Sequence, residues 1–121
     1  MRVGILGVGA IGGLIASRLA LTGAELHLFA HEHVAPNLVV EGLTLFDLAS
    51  QSSHFAGERW SVHSSGEPAP GLVDVLLICV KANDLSNISD EMLRALSPSG
   101  VLVCVMNGLG HEESLRTRGV H

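Results

Sequence analysis

The sequence predicts an α/β fold built on a doubly wound parallel sheet, and three observations lead there. Two apolar runs, Val73-Asp74-Val75-Leu76-Leu77-Ile78-Cys79-Val80 and Val101-Leu102-Val103-Cys104-Val105-Met106, read as strands buried on both faces. The chain opens with a strand, a glycine turn, a helix and a second strand. Polar or glycine residues stand directly after three strand patterns: Gly7, Lys81 and Asn107. In open α/β sheets the crevice outside the carboxyl ends of the strands is where ligands sit.

In chain order, Met1 to Leu6 forms a short β pattern, followed by Gly7-Val8-Gly9-Ala10-Ile11-Gly12 and a helix to about Leu21. Ile11, Leu14, Ile15 and Leu19 recur at helical spacing, and Gly23 suits the stop. Ala24 to Ala30 alternates Leu26, Leu28 and Ala30 against Glu25, His27 and Phe29, a second strand. From Pro36 to Pro70 the pattern changes. Gly42-Leu43-Thr44-Leu45-Phe46 and Arg59-Trp60-Ser61-Val62-His63 are short strand candidates around a polar loop from Ser50 to Gly57, which predicts a β-hairpin insertion. Trp60 reads as a packing residue. After Lys81 a helix is expected, with Asp84 or Ser86 as N-cap and Ile88, Met92, Leu93 and Leu96 on its apolar face, ended by Ser97-Pro98-Ser99-Gly100.

Length bounds this to one domain, residues 1–121. With 47% hydrophobic and 16% charged residues the chain is too apolar for disorder. A net charge of -5, a pI near 5.7 and few aromatic residues disfavour nucleic-acid binding. No run is long enough for a signal peptide or a membrane span, so a cytoplasmic protein without membrane contact is expected. Cys79 and Cys104 both fall in apolar strand patterns and read as core, with neither a disulfide framework nor metal-ligand spacing. His27, His31 and His33 are completed by no cysteine or carboxylate into a ligand set, so no metal site is expected; they read as solvated or ligand-facing.

A G-x-G-x-x-G run alone is a weak signal, but between a strand and a helix it has a mechanical meaning. Gly7 permits the tight turn, Gly9 lets backbone approach a pyrophosphate, and Gly12 allows close helix–strand packing. The helix N-terminus adds free N–H groups and the positive end of its dipole. These residues predict a Rossmann-type dinucleotide site spanning Gly7, Val8, Gly9, Ala10, Ile11 and Gly12, against the alternative that the glycines serve only a tight turn. After the second strand an acidic residue would hold the ribose hydroxyls of NAD, and a basic one the extra phosphate of NADP. His31, Glu32 and His33 give mixed advice: NADP is favoured and NAD stays open. Asn107 can donate and accept at once, although Asn107-Gly108 equally suits a turn into a helix around Glu112 to Arg116.

Taken in order, the glycine run, Val80-Lys81-Ala82, and Asn107-Gly108-Leu109-Gly110 with two following glutamates resemble the ketopantoate reductase (2-dehydropantoate 2-reductase) family over essentially the whole chain. The resemblance implies that Gly7 to Gly12 bind the pyrophosphate of NADP, that Lys81 contacts the cofactor, and that Asn107 lies by the nicotinamide and a 2-keto acid substrate. His31 stands where the family commonly has an arginine for the NADP phosphate. The family also has a second, helical domain with a catalytic lysine and a glutamate, so a truncated sheet, no catalytic residue within residues 1–121, and self-association through the surface that domain covers are expected. Lys81 is the one lysine of the chain and is assigned to the cofactor, not to catalysis. Two other readings stand beside this: a stand-alone NAD(P)-binding or redox-sensing module, and a reductase of the same superfamily acting on another 2-keto acid.

Overall fold

The computed structural model describes residues 1–30, 34–46, 52–63, 70–80 and 90–105. Among them, β1 (Arg2–Leu6), β2 (Glu25–Phe29), β5 (Ser61–His63), β6 (Val73–Ile78) and β7 (Leu96–Cys104) form a parallel sheet of order β5-β2-β1-β6-β7. Strands β3 (Leu43–Phe46) and β4 (Ser52–Phe55) form a separate antiparallel hairpin. Helices α1 (Ala10–Ala20), α2 (Ala35–Val40) and α3 (Asp90–Leu93) complete the described elements. From β1 the chain winds outward one way through β2 to β5, then returns to the other side of β1 with β6 and β7. The strand order therefore reverses between β1 and β6, which is the switch point where open α/β sheets place ligands.

The apolar runs follow from this placement. β1, β2 and β6 each have a neighbour on both edges, so side chains on both faces are covered. Val3, Ile5, Leu26 and Leu28 belong to one core cluster with Ala16 of α1; Leu6, Phe29, Leu76 and Ile78 belong to the other with Leu93 of α3. β2 thus departs from simple alternation: His27 and Phe29 are buried as well as Leu26 and Leu28, and only Glu25 is exposed.

α1 meets the sheet with its smallest residues. Gly12, Gly13, Ala16 and Ser17 are buried, and the Ser17 hydroxyl donates to the Gly13 carbonyl at 2.8 Å. Ile11 and Leu14, expected on the core face, are exposed, while Ile15 and Leu19 pack against the core. The close seating of the Gly12 face on the β1 turn rotates Ile11 and Leu14 outward. The chain leaves the helix through a turn that reaches Gly23 at φ +79.

The insertion contains a hairpin, but with other strands than expected. Leu43–Phe46 pairs with Ser52–Phe55, inside the stretch read as polar loop, and Ser61–His63 joins the edge of the main sheet parallel to β2. The reason is that β4 carries Ser52, Ser53 and His54 exposed and only Phe55 buried, so it has no apolar signature. Trp60 is buried and its indole N–H donates to the Leu38 carbonyl of α2 at 3.3 Å, tying the insertion together.

Beyond β6 two further expectations are corrected. Leu96 is the first residue of β7, paired with Val73, and not part of a helix. Ser97-Pro98-Ser99-Gly100 forms the irregular start of that strand, where the pairing steps from Val73–Leu96 to Val75–Val101. β7 is one of the two edge strands of the parallel sheet among the described residues, with Val101 57% and Val103 37% exposed, and Cys104 is exposed where a core position was expected. Among the described residues no helix is long and apolar enough to cross a membrane.

Candidate functional site

The carboxyl ends of all five strands are joined by one row of main-chain hydrogen bonds. Val105 N–H donates to Ile78 O at 2.9 Å, Cys79 N–H to Leu6 O at 2.8 Å, Gly7 N–H to Phe29 O at 3.2 Å, and Ala30 N–H to His63 O at 2.9 Å. Each donor is the first residue after its strand, so the five strands stop at one level and form a continuous rim. Gly7 sits in the middle of that rim, next to the switch point.

The three glycines of the fingerprint occupy three different environments. Gly7 has φ +92, in the left-handed region, and a side chain there would also meet Val80 Cγ1 at 2.7 Å. A Cβ on Gly12 would run into the Gly7 carbonyl oxygen, so no larger residue fits without moving the turn. Gly9 is exposed, and a Cβ there would meet nothing within 4 Å. Two glycines are needed by the protein's own packing; the third borders open space.

That space lies at the N-terminus of α1. Gly9 is the N-cap, no side chain caps the helix, and its first turn carries no acidic residue. The first helical hydrogen bond runs from Gly13 N–H to Gly9 O at 2.8 Å, so the N–H groups of Ala10, Ile11 and Gly12 have no acceptor within the helix. Uncapped donors together with the positive end of the helix dipole suit an anion such as a pyrophosphate. Val8 packs against the core cluster shared with α1. Cys79 lies beneath the turn, half-buried, and burial pushes its thiol pKa up, which suits packing more than nucleophilic chemistry.

His31, Lys81 and Asn107 lie outside the described residues, as do Asn83 to Ser89 and Met106 to His121. The residues that lead into them are described: Ala30, Val80 and Val105 all stand on or directly beyond the rim. Among the described residues no group of three or more His, Cys, Asp or Glu is placed to hold a metal ion.

A side-chain row on the same sheet escaped the sequence reading. His27 is not solvated but buried, 7% exposed; its Nε2 lies 2.8 Å from Glu25 Oε2 and its Nδ1 3.0 Å from His63 Nε2. The one available signal was that Glu25 and His27, two apart on a strand, share a face. Nothing local indicated that His63 would come alongside. At the amino end of the sheet, Arg2 of β1 pairs with Asp74 of β6 at 2.8 Å, which holds the Asp74 carboxyl down at about 2.

Comparison with known proteins agrees with this architecture. The sequence profile of the family described as ketopantoate reductase PanE/ApbA matches residues 3–121. An uncharacterized oxidoreductase, YkpB, of Bacillus subtilis (strain 168) is 26% identical over 115 residues, covering 95% of this chain and 36% of that protein. The crystal structure of a PanE/ApbA family ketopantoate reductase from Ralstonia eutropha JMP134 superposes with a TM-score of 0.81 at 28% identity, over 97% of this chain and 38% of that one. The ternary structure of D-mandelate dehydrogenase with NADH and anilino(oxo)acetate shares the fold with a TM-score of 0.82 at 21% identity, over 97% of this chain and 37% of that one. The chain thus spans little more than a third of the length of these relatives. A profile match across nearly every residue, on a parallel sheet whose switch point carries the glycine turn, shows that the chain belongs to the ketopantoate reductase PanE/ApbA family.

Proposed function

We propose that residues 1–121 are the NADP(H)-binding portion of an oxidoreductase that reduces a 2-keto acid, with 2-dehydropantoate, converted to pantoate, as the substrate. The observation that supports it most is the uncapped N-terminus of α1 beside Gly9, at the centre of a rim that joins all five strand ends. In this reading the N–H groups of Ala10, Ile11 and Gly12 hold the pyrophosphate, and Gly7, Val8 and Gly12 shape the turn that presents them. His31 meets the ribose end, Lys81 contacts the cofactor, and Asn107 lies by the nicotinamide and the substrate carbonyl.

When bound, the nicotinamide supplies a hydride to the ketone carbon, and the alkoxide that forms takes a proton. The rim orients that transfer; the proton donor is not assigned to any residue of this stretch. A second substrate reading has a specific basis: the D-mandelate dehydrogenase that superposes over the same residues was captured with a different acid, anilino(oxo)acetate. The nucleotide half of the proposal is common to both readings.

The test is a fluorescence titration of the chain with NADPH and with NADH. NADPH is expected to bind more tightly, and Lys81→Ala to weaken both. Equal NADPH affinity in the Lys81→Ala variant would remove Lys81 from the site. Turnover of 2-dehydropantoate against other 2-keto acids, measured on the longer protein, decides the substrate.

A further inference from the structure

The row Glu25–His27–His63 crosses from the exposed amino end of β2 to the carboxyl end of β5. Glu25 Oε2 lies 2.8 Å from His27 Nε2, so that nitrogen carries a proton and donates. In the neutral ring Nδ1 is then a bare acceptor, and His63 Nε2–H, 3.0 Å away, donates to it. The His63 ring lies against two others, 5.3 Å from the His27 centroid and 5.0 Å from that of Phe29, both stacked. One added proton can enter at His63 Nδ1 without breaking the row, because His63 Nε2–H still donates to His27 Nδ1; placed on His27 Nδ1 instead, it requires His63 to carry its own proton on Nδ1 and accept at Nε2. A second proton sets N–H against N–H across the same gap, and the rings must part.

The other charges near the row are few. Arg2 of β1 stands opposite Glu25 in register and is pulled upward in pKa first by Asp74 of β6 and only last by Glu25. Opposite His27 stand Gly4 of β1 and Ser61 of β5, neither of which carries a charge. Among the described residues, the one charge acting on His63 is that of His27; it and, more strongly, burial push the His63 imidazole pKa down.

Parting the rings has a defined mechanical consequence. β5 is three residues long, stands at the sheet edge, and ends at His63. The His63 carbonyl accepts the Ala30 N–H at 2.9 Å, the outermost rung of the rim, and Ala30 leads into the segment that the nucleotide reading assigns to the ribose end. We propose that His63 is a pH-dependent positioning residue: double protonation of the His27–His63 pair releases the outer end of the rim and lowers affinity for the nucleotide. The inference rests on the nucleotide reading above and adds a proton-linked control to the same site.

The experiment is calorimetric titration of the 121-residue chain with NADP⁺ and NAD⁺ from about pH 8 to about pH 5, in wild type and in His63→Gln, whose amide keeps a bond to His27 but does not titrate. Wild-type affinity for both nucleotides is expected to fall about fivefold to tenfold across that range, and His63→Gln to match wild type at the alkaline end without the fall. A fall confined to NADP⁺ and unchanged in His63→Gln would come from the nucleotide's own phosphate and overturn the inference alone. Absence of binding at every pH overturns the nucleotide reading and the inference with it. Should His63→Gln fail to fold, the wild-type amide spectrum decides: the Ala30 signal must shift with the histidine ring titration while Val105, at the far end of the rim, does not, and an Ala30 signal indifferent to that titration overturns the proposal.

Discussion

The turn between β1 and α1 and the insertion between Ala35 and His63 both lead away from central strands of the sheet, yet they are built on opposite terms. At the turn, the protein uses Gly7 and Gly12 for its own packing and leaves Gly9 open, with no side-chain cap on the helix and no acceptor among the described residues for three of its N–H groups. In the described residues of the insertion, polar groups are turned on one another: the Trp60 indole on the Leu38 carbonyl, Thr44 with His54 across the hairpin at 3.0 Å, the Gly42 amide on Asn37 O at 3.0 Å. Unspent donors at the head of a helix are what a ligand site looks like; spent ones are what a scaffold looks like.

Substitutions can break or sharpen that contrast. The largest effect is expected from Gly12→Val, whose side chain collides with the Gly7 carbonyl and overpacks the turn; a loss of about 3 kcal/mol in denaturant unfolding is expected. Gly9→Ala should behave in the opposite way. It faces no atom within 4 Å, so unfolding changes by less than about 1 kcal/mol, while nucleotide binding weakens by about tenfold. If both variants lost stability equally, the distinction between a packing glycine and a ligand glycine would fail.

In the insertion, Trp60→Phe removes the bond to Leu38 and keeps most of the apolar contact, so about 1 kcal/mol is expected in unfolding, with nucleotide affinity unchanged. The smallest effects are those of pH. Asp74, held low by Arg2, contributes stability that is complete above the ordinary aspartate range and is lost as pH falls toward about 2. His63, also lowered, contributes stability that is complete above the ordinary histidine range and is lost as pH falls through its depressed value. Asp74→Asn should flatten the first window and leave the second in place, as followed by thermal unfolding across pH.

The same contrast explains what could be read from the chain alone. The central strands were legible because coverage on both faces leaves long apolar runs, and the glycine turn because its spacing repeats a mechanical requirement. β4 was not legible, since Ser52, Ser53 and His54 lie on an exposed hairpin where pairing is made by main chain and not by side-chain burial. The parallel docking of Ser61–His63 on β2 is a long-range pairing of three residues that no local pattern announces. For the site, the turn was readable as sequence; the rim was not, because its bonds join residues brought level only by the sheet, and the Glu25–His27–His63 row was missed for the same reason. β7 gives the intermediate case: its apolar run was recognised, but its edge position leaves Val101, Val103 and Cys104 exposed.

The central claim, that the rim around the β1–α1 turn binds a dinucleotide, is tested most directly by titrating the isotope-labelled chain with NADP⁺ and following its backbone amide signals. Shifts concentrated at Gly7, Gly9, Ala10, Ile11 and Gly12, extending along the rim to Ala30 and Cys79, with the β3–β4 hairpin unmoved, are the predicted result. Saturable shifts centred on the hairpin, or none at the glycine turn, would contradict it.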